Sequence, residues 1–217
     1  KSGFLQPTFN DSNKLGTSVT SPYFHVISDS ADLTFKPRFF STSEYLLQSE
    51  YRKVTKNSSH IADFSFNEDK EENGTKSHFF SQSLINLDTK YFDENIIDLK
   101  IEKVSSDSYA KIYSLESSSP IIENTSVLES LIKYSGSRDD FNFDISFESY
   151  ETMSRLNSDR YEFIYPNYSL QKIFDIEENF FNSYNFTSSG NQKKFSTNIY
   201  EAVQVNDLLI SSKNFTN

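Results

Sequence analysis

The residue types that commonly do chemistry are present in this chain but dispersed. His25, His60 and His78 show no H-E-x-x-H or comparable ligand spacing, so they read as surface or lumen histidines rather than a metal set. The acidic stretches "RDD" (138–140) and "NEDKEEN" (67–73) lack the D-x-D-x-D-G pattern of a calcium loop and read as solvated connections. No Ser-His-Asp order, nucleophile elbow or phosphate loop is visible, so the chain reads as no enzyme and as needing no cofactor. Asn73, Asn124, Asn167 and Asn185 head N-x-S/T triplets, as chance provides in a chain this rich in Asn, Ser and Thr. What remains is chemistry by subtraction. "SVTSPYFHVISDSADLTFKPRFF" (18–40) is built from strand-forming residues yet contains Pro22 and Pro37, and Pro7 precedes it in "SGFLQPTF". A proline deletes a ladder donor, and within sheets it is confined to edges, strand ends and bulges.

The elements around these prolines follow from periodicity. In "ADLTFKPRF", Ala31, Leu33, Phe35, Pro37 and Phe39 fall on one face and Asp32, Thr34, Lys36 and Arg38 on the other. "IIDLKIEK" sets Ile97, Leu99 and Ile101 against Asp98, Lys100 and Glu102. "FNFDISFES" sets Phe141, Phe143, Ile145 and Phe147 against Asn142, Asp144, Ser146 and Glu148. Further alternating runs are "HIADFSF", "RYEFIYPN" and "FSTNIYEAVQV", separated by Gly-, Asn-, Asp- and Ser-rich turn signals. In "NTSVLESLIKY", Val127, Leu128, Leu131 and Ile132 stand at helical spacing, so that stretch admits a helix as readily as a strand. Pro37 reads as a strand-end proline.

Composition narrows the class. The 217 residues are 35% hydrophobic and 16% aromatic, and Phe and Tyr are spread along the whole length, which argues against disorder. The net charge of -10, without a Lys/Arg-rich run, excludes nucleic acid as the main partner. With no cysteine there is neither a disulfide framework nor a thiolate metal site. No stretch approaches the ~20 apolar residues of a membrane helix. The chain opens at Lys1 without a secretory leader and reads as a piece of a longer protein.

Together these features predict an all-β antiparallel meander of about 10 to 12 strands, part of a transmembrane barrel. Short connections ("SDS", "KNSS", "SGSRDD") would lie at one end, and long ones ("NEDKEENG" and residues 104–125) outside, at the other. A soluble all-β sandwich or solenoid also alternates and stays open as a reading, as does a general porin or siderophore-type barrel. Charges on nearly every strand suit a wet lumen. On the barrel reading Leu33, Phe35, Phe143, Ile145 and Phe147 face lipid, while Asp32, Lys36, Arg38, Asp144 and Glu148 face the lumen.

A resemblance adds to this reading. "SGFLQPTF", "LGTSVTSPYFHVISDSADLTFKPRFF" and "EYLLQSEYRKV" resemble the start of the barrel of the lipopolysaccharide-assembly outer-membrane protein family (LptD, or organic solvent tolerance protein). The shared elements are Ser2 to Leu5 with Pro7, Pro22 to Phe24, Asp32 with Thr34 and Pro37, and Glu50 with Arg52. "KVSSDSYAKIYSL" (103–115) is similar to a later loop of that family. The resemblance implies that residues 1–217 are the N-terminal half of a transmembrane barrel domain, without the periplasmic jelly-roll domain and the C-terminal barrel half. It implies insertion of lipopolysaccharide into the outer leaflet of the Gram-negative outer membrane through a lateral gate. The implied partners are lipopolysaccharide, a plug lipoprotein (LptE-like), the periplasmic lipopolysaccharide-transport bridge and the outer membrane. Pro7 and Pro22 match the family's paired gate prolines, with an ordinary bulge or strand-end proline as the alternative for each.

Overall fold

The structure, a computed structural model, describes residues 1–12, 15–42, 44–69, 74–153, 160–175, 181–195 and 200–212. The alternating runs become strands. In chain order these are β1 (Gly3–Phe4), β2 (Thr8–Ser12), β3 (Gly16–Thr20), β4 (Tyr23–Ser28), β5 (Ala31–Phe40), β6 (Tyr45–Val54), β7 (Ser58–Asp69), β8 (Gly74–Asn86) and β9 (Glu94–Val104). Two single-turn helices follow, α1 (Tyr109–Ile112) and α2 (Leu115–Ser118). The chain then returns to the sheet with β10 (Val127–Arg138), β11 (Phe141–Thr152), β12 (Tyr161–Asp175), β13 (Phe181–Phe195) and β14 (Tyr200–Ser212).

All 14 strands of the described residues belong to one antiparallel sheet, and from β4 onward each pairs with its sequence neighbour. Among the described residues β14 pairs with β13 alone, so the sheet is open rather than closed on itself. Strands β5 to β14 run 10 to 15 residues, well beyond the ~5–6 of an average strand. Among the described residues there is no second sheet packed face to face, as a sandwich would need.

The stretch that admitted a helix is strand β10. It is paired on both sides, Lys133 with Asp98 of β9 and with Ser146 of β11, so two ladders satisfy its backbone and override the local spacing. Its apolar residues serve both faces: Leu131 stands in line with Lys100 and Glu148 on one face, and Ile132 lies open on the other.

Short links (29–30, 55–57, 139–140) gather at one end of the sheet, as the alternation of antiparallel strands requires. The longest link, 105–126, leaves the other end and does not stay outside. It turns back over one face of β5 to β8, and Tyr109, Ala110, Tyr113, Leu115, Ile121 and Ile122 bury there against Phe40, Leu46 and Phe80. This is the core of the protein. The reason is composition: the link carries too many apolar side chains to be left in water. Residues 70–73 of the "NEDKEENG" link lie outside the described residues.

Candidate functional site

Directly opposed residues of an antiparallel pair share a face, so the register sorts every side chain. Lys36, Gln48, Ser65 and His78 form one cross-strand row, and Thr34, Glu50, Asp63, Phe80 and Glu102 form the next. Both rows lie under the 105–126 link. The same face continues through Asp32, Arg52 and Lys100 to Lys133, Ser135, Asp144 and Glu148. The opposite face carries Leu33, Phe35, Phe64 and Phe79, then Leu99, Ile132 and Phe147, then Ile97, Tyr134 and Ile145, with Phe143 beside them. Asp32, Lys36, Arg38, Asp144 and Glu148 therefore share the loop face, and Leu33, Phe35, Phe143, Ile145 and Phe147 share the open face.

Polarity is inverted between the two faces. On the loop face Asp63 is 0% exposed, Glu102 4% and Arg38 8%, whereas on the open face Ile132 is 58% exposed, Phe147 50% and Phe39 59%. A water-soluble sheet buries its apolar side, and contiguous apolar patches beyond a few hundred Å² mark contact with a partner or a membrane.

Several charges on the loop face neutralise one another. Lys36 Nζ donates to Glu50 at 2.6 Å and to the Ser118 carbonyl of the link at 3.1 Å. Lys100 lies 3.0 Å from Glu102 and 3.1 Å from Glu129, Lys133 lies 3.2 Å from Asp144, and Arg52 lies 2.9 Å from Asp32. Glu148 accepts from Ser146, from Tyr150 at 2.9 Å and from Asn167 at 3.1 Å.

The link is held down by a buried polar set that no sequence pattern announced. Gln48 Nε2 donates to both carboxylate oxygens of Asp63, at 3.0 and 2.9 Å. Asp63 lies 3.5 Å from His78 Nε2, the other ring nitrogen of His78 bonds Ser65, and the Ser65 hydroxyl meets the Tyr109 hydroxyl at 2.7 Å. Asn67 donates to the Tyr113 hydroxyl at 2.7 Å. Burial pushes the Tyr109 phenol above the ordinary tyrosine range. His78, scattered in the sequence, is thus an interior residue, brought to Ser65 by the β7–β8 register.

Pro7 and Pro22 lie at breaks rather than inside strands: Pro7 between β1 and β2, Pro22 between β3 and β4. β1 pairs with β4 and β2 with β3, leaving Leu5, Gln6 and Pro7 opposite Ser21 and Pro22. Leu5 N–H donates to the Pro22 carbonyl at 2.8 Å. In a regular hydrogen-bonded pair Pro22 would return the bond, and without an N–H it does not. The next pair repeats the defect. Ser21 N–H donates to the Pro37 carbonyl at 3.1 Å, and Pro37 has no donor to return. Pro37 is therefore not a strand-end residue but the seventh of ten in β5. Two one-way pairs stand side by side across three adjacent strands. Pro166 shows the ordinary case, absorbed at the register shift between Ile164 and Asn167 while β12 continues on both sides.

No protein-family model matches the chain. Part of it is similar to proteins called LPS-assembly protein LptD. The one from Cupriavidus pinatubonensis is 39% identical over 54 residues, which is 25% of this chain and 7% of that protein. The one from Pseudomonas aeruginosa is 29% identical over 72 residues, 33% of this chain and 8% of that protein. The one from Ralstonia nicotianae is 42% identical over 55 residues, 25% of this chain and 7% of that protein. Each matched stretch spans less than a tenth of the relative's length.

Proposed function

We propose that this sheet is the N-terminal half of an outer-membrane β-barrel that inserts lipopolysaccharide into the outer leaflet, and that its first hairpin is the lateral exit. The open face, rich in Phe, Ile and Leu, meets lipid, and the loop face, lined by Asp32, Lys36, Arg38, Asp144 and Glu148, is the wet lumen. Strands of 10 to 15 residues are long enough to cross a hydrocarbon layer at a tilt. The 105–126 link fills part of the lumen, and a plug lipoprotein takes the remainder. A jelly-roll domain elsewhere in the protein receives the lipid from the periplasmic bridge.

The observation that carries this reading is the pair of one-way contacts at Leu5–Pro22 and Ser21–Pro37. A lipid-bearing sugar must leave sideways, because its acyl chains belong in the bilayer and its sugars in water. A closed barrel has no edge, so one seam must open. Missing donors lower the cost of that opening. A general porin or siderophore-type barrel accounts for the inverted faces equally well but has no use for a weakened first hairpin.

The test is Pro7→Ala and Pro22→Ala in the full-length protein. Each restores a backbone N–H, and in Pro22→Ala it faces Leu5, where one net hydrogen bond contributes roughly 0.5 to 1.5 kcal/mol, so opening becomes rarer by up to about tenfold. Heat-resistant barrel should be unchanged or increased, while surface lipopolysaccharide falls and cells admit more of the large hydrophobic antibiotics. Unchanged surface lipopolysaccharide per folded barrel in both variants would overturn the gate.

A further inference from the structure

Arg38 is the most buried of the described arginines and has no acidic partner among the described residues. Arg52, Arg138 and Arg160 stand 2.9, 3.8 and 2.7 Å from a carboxylate, as a chain of net charge -10 makes easy. Arg38, at 8% exposure, donates to the Ser18 hydroxyl at 2.9 Å and to the Tyr113 carbonyl at 3.0 Å, and its guanidinium lies over the Phe40 ring. All of these contacts are uncharged. A buried charge is ordinarily paired, since desolvation without a counter-ion costs several kcal/mol.

The guanidinium borders a polar cavity of about 450 Å³, within the range of small-molecule sites. Thr8, Thr20 and Pro22 of the broken hairpin form one wall, Lys36 and Arg38 of β5 the floor, and Ser118 of the link another wall. Asp11 is the cavity's one lining carboxylate among the described residues, and it forms no ion pair with Arg38. Lys36 is occupied by Glu50, so the uncommitted positive charge is that of Arg38.

We infer that this cavity is a binding subsite for an anionic oxygen group, phosphate or carboxylate, carried on a saccharide, with Arg38 as its charge partner and the surrounding hydroxyls as ligands for the sugar. Guanidinium suits this task because its planar fork meets two oxygens of a phosphate or carboxylate at once. The cavity adjoins Pro22, so the anionic sugar would be held on the lumen side of the weakened hairpin. Identification of the saccharide as a lipid headgroup rests on the transport reading above; the oxyanion site itself does not.

The test is binding to the full-length protein in detergent with inorganic phosphate, glucose phosphate and glucose as probes, followed by ³¹P line broadening and calorimetry. Glucose phosphate should bind more tightly than inorganic phosphate, and glucose should not bind. Arg38→Gln keeps an amide donor for the Tyr113 carbonyl, and it should weaken glucose phosphate at least about tenfold, the scale of one charged hydrogen bond. Arg52→Gln, which alters an arginine already paired with Asp32, should leave binding unchanged. If Arg38→Gln yields no heat-resistant barrel, Arg38→Lys answers the same question, because it keeps the charge but loses the fork and should show an intermediate loss. Undiminished binding in the folded Arg38 variant, or equal loss in Arg52→Gln, would overturn the subsite. Equal affinity for inorganic phosphate would overturn its saccharide part. Transport is scored separately: surface lipopolysaccharide that survives depletion of the protein would overturn the transport reading, whatever the phosphate probes report.

Discussion

Replacing Tyr109 with alanine should free residues 105–126 from the loop face while the sheet stays folded. Tyr109 is 0% exposed, its ring centroid stands 4.7 Å from that of Tyr113 and 6.0 Å from that of His78, and its hydroxyl bonds Ser65. Truncating a fully buried aromatic residue to alanine costs about 3–5 kcal/mol, because both its transfer energy and its packing are lost. The loss falls on the link, since β7 and β8 keep their ladder and Ser65 keeps His78. If the link opens as a local unit, its amides should lose roughly two to three and a half powers of ten in hydrogen-exchange protection. The informative amides are Ile112, Tyr113 and Ser119, which donate to Ser108, Tyr109 and Leu115 within the link. Amides of β7 and β8 serve as the internal reference. Tyr109→Phe removes only the hydroxyl and should cost about 0.5–1.5 kcal/mol. Equal loss of protection in link and sheet would refute the reasoning, as would a link that exchanges freely in the parent protein.

Two further outcomes are expected. On the barrel proposed above, Phe147→Arg on the open face should be destabilising in lipid by about 2–4 kcal/mol near the bilayer midplane, whereas Ser135→Arg on the loop face, beside Asp144, should cost little; folding titrations of both variants in vesicles check this. Gly190→Ala should destabilise β13 by about 1–3 kcal/mol, because its new Cβ would meet the Tyr168 ring at 2.8 Å and the Val203 carbonyl at 2.9 Å; a parallel Gly3→Ala change, with nothing within 4 Å, is the control for the same denaturation measurement.

Alternation is a local property, so the strand pattern and the division of side chains between faces were legible in "ADLTFKPRF" and "FNFDISFES" before any coordinates. Three things were not. Strand β10 looked equally helical because its adjacent apolar residues Leu131 and Ile132 fall on opposite faces, which blurs the period of two. Pro37 looked like a strand end because its partner Ser21 is set by a pairing across the β3–β4 break, which sequence does not encode locally. Asp63, Ser65, His78 and Tyr109 are separated along the chain and meet through register and the return of a long link. The apolar content of "YAKIYSLESSSPII" was the one available sign that this link belongs inside.

The broken hairpin also has a mechanical meaning. β5 is held on one side by β4 as far as Phe35 and by β3 from Arg38 onward, while on its other side it is paired with β6 from Ala31 to Phe39 without a gap. The breaks at Pro7 and Pro22 therefore act as a notch cut into the rim of a stiff plate, and β5 acts as the uncut fibre behind it. A tear that starts at the notch runs two strands deep and is arrested there, because going further would mean shearing nine consecutive register pairs instead of a few. On the gate proposed above, such a plate parts at the same place many times and heals each time, with the remaining strands spared the fatigue.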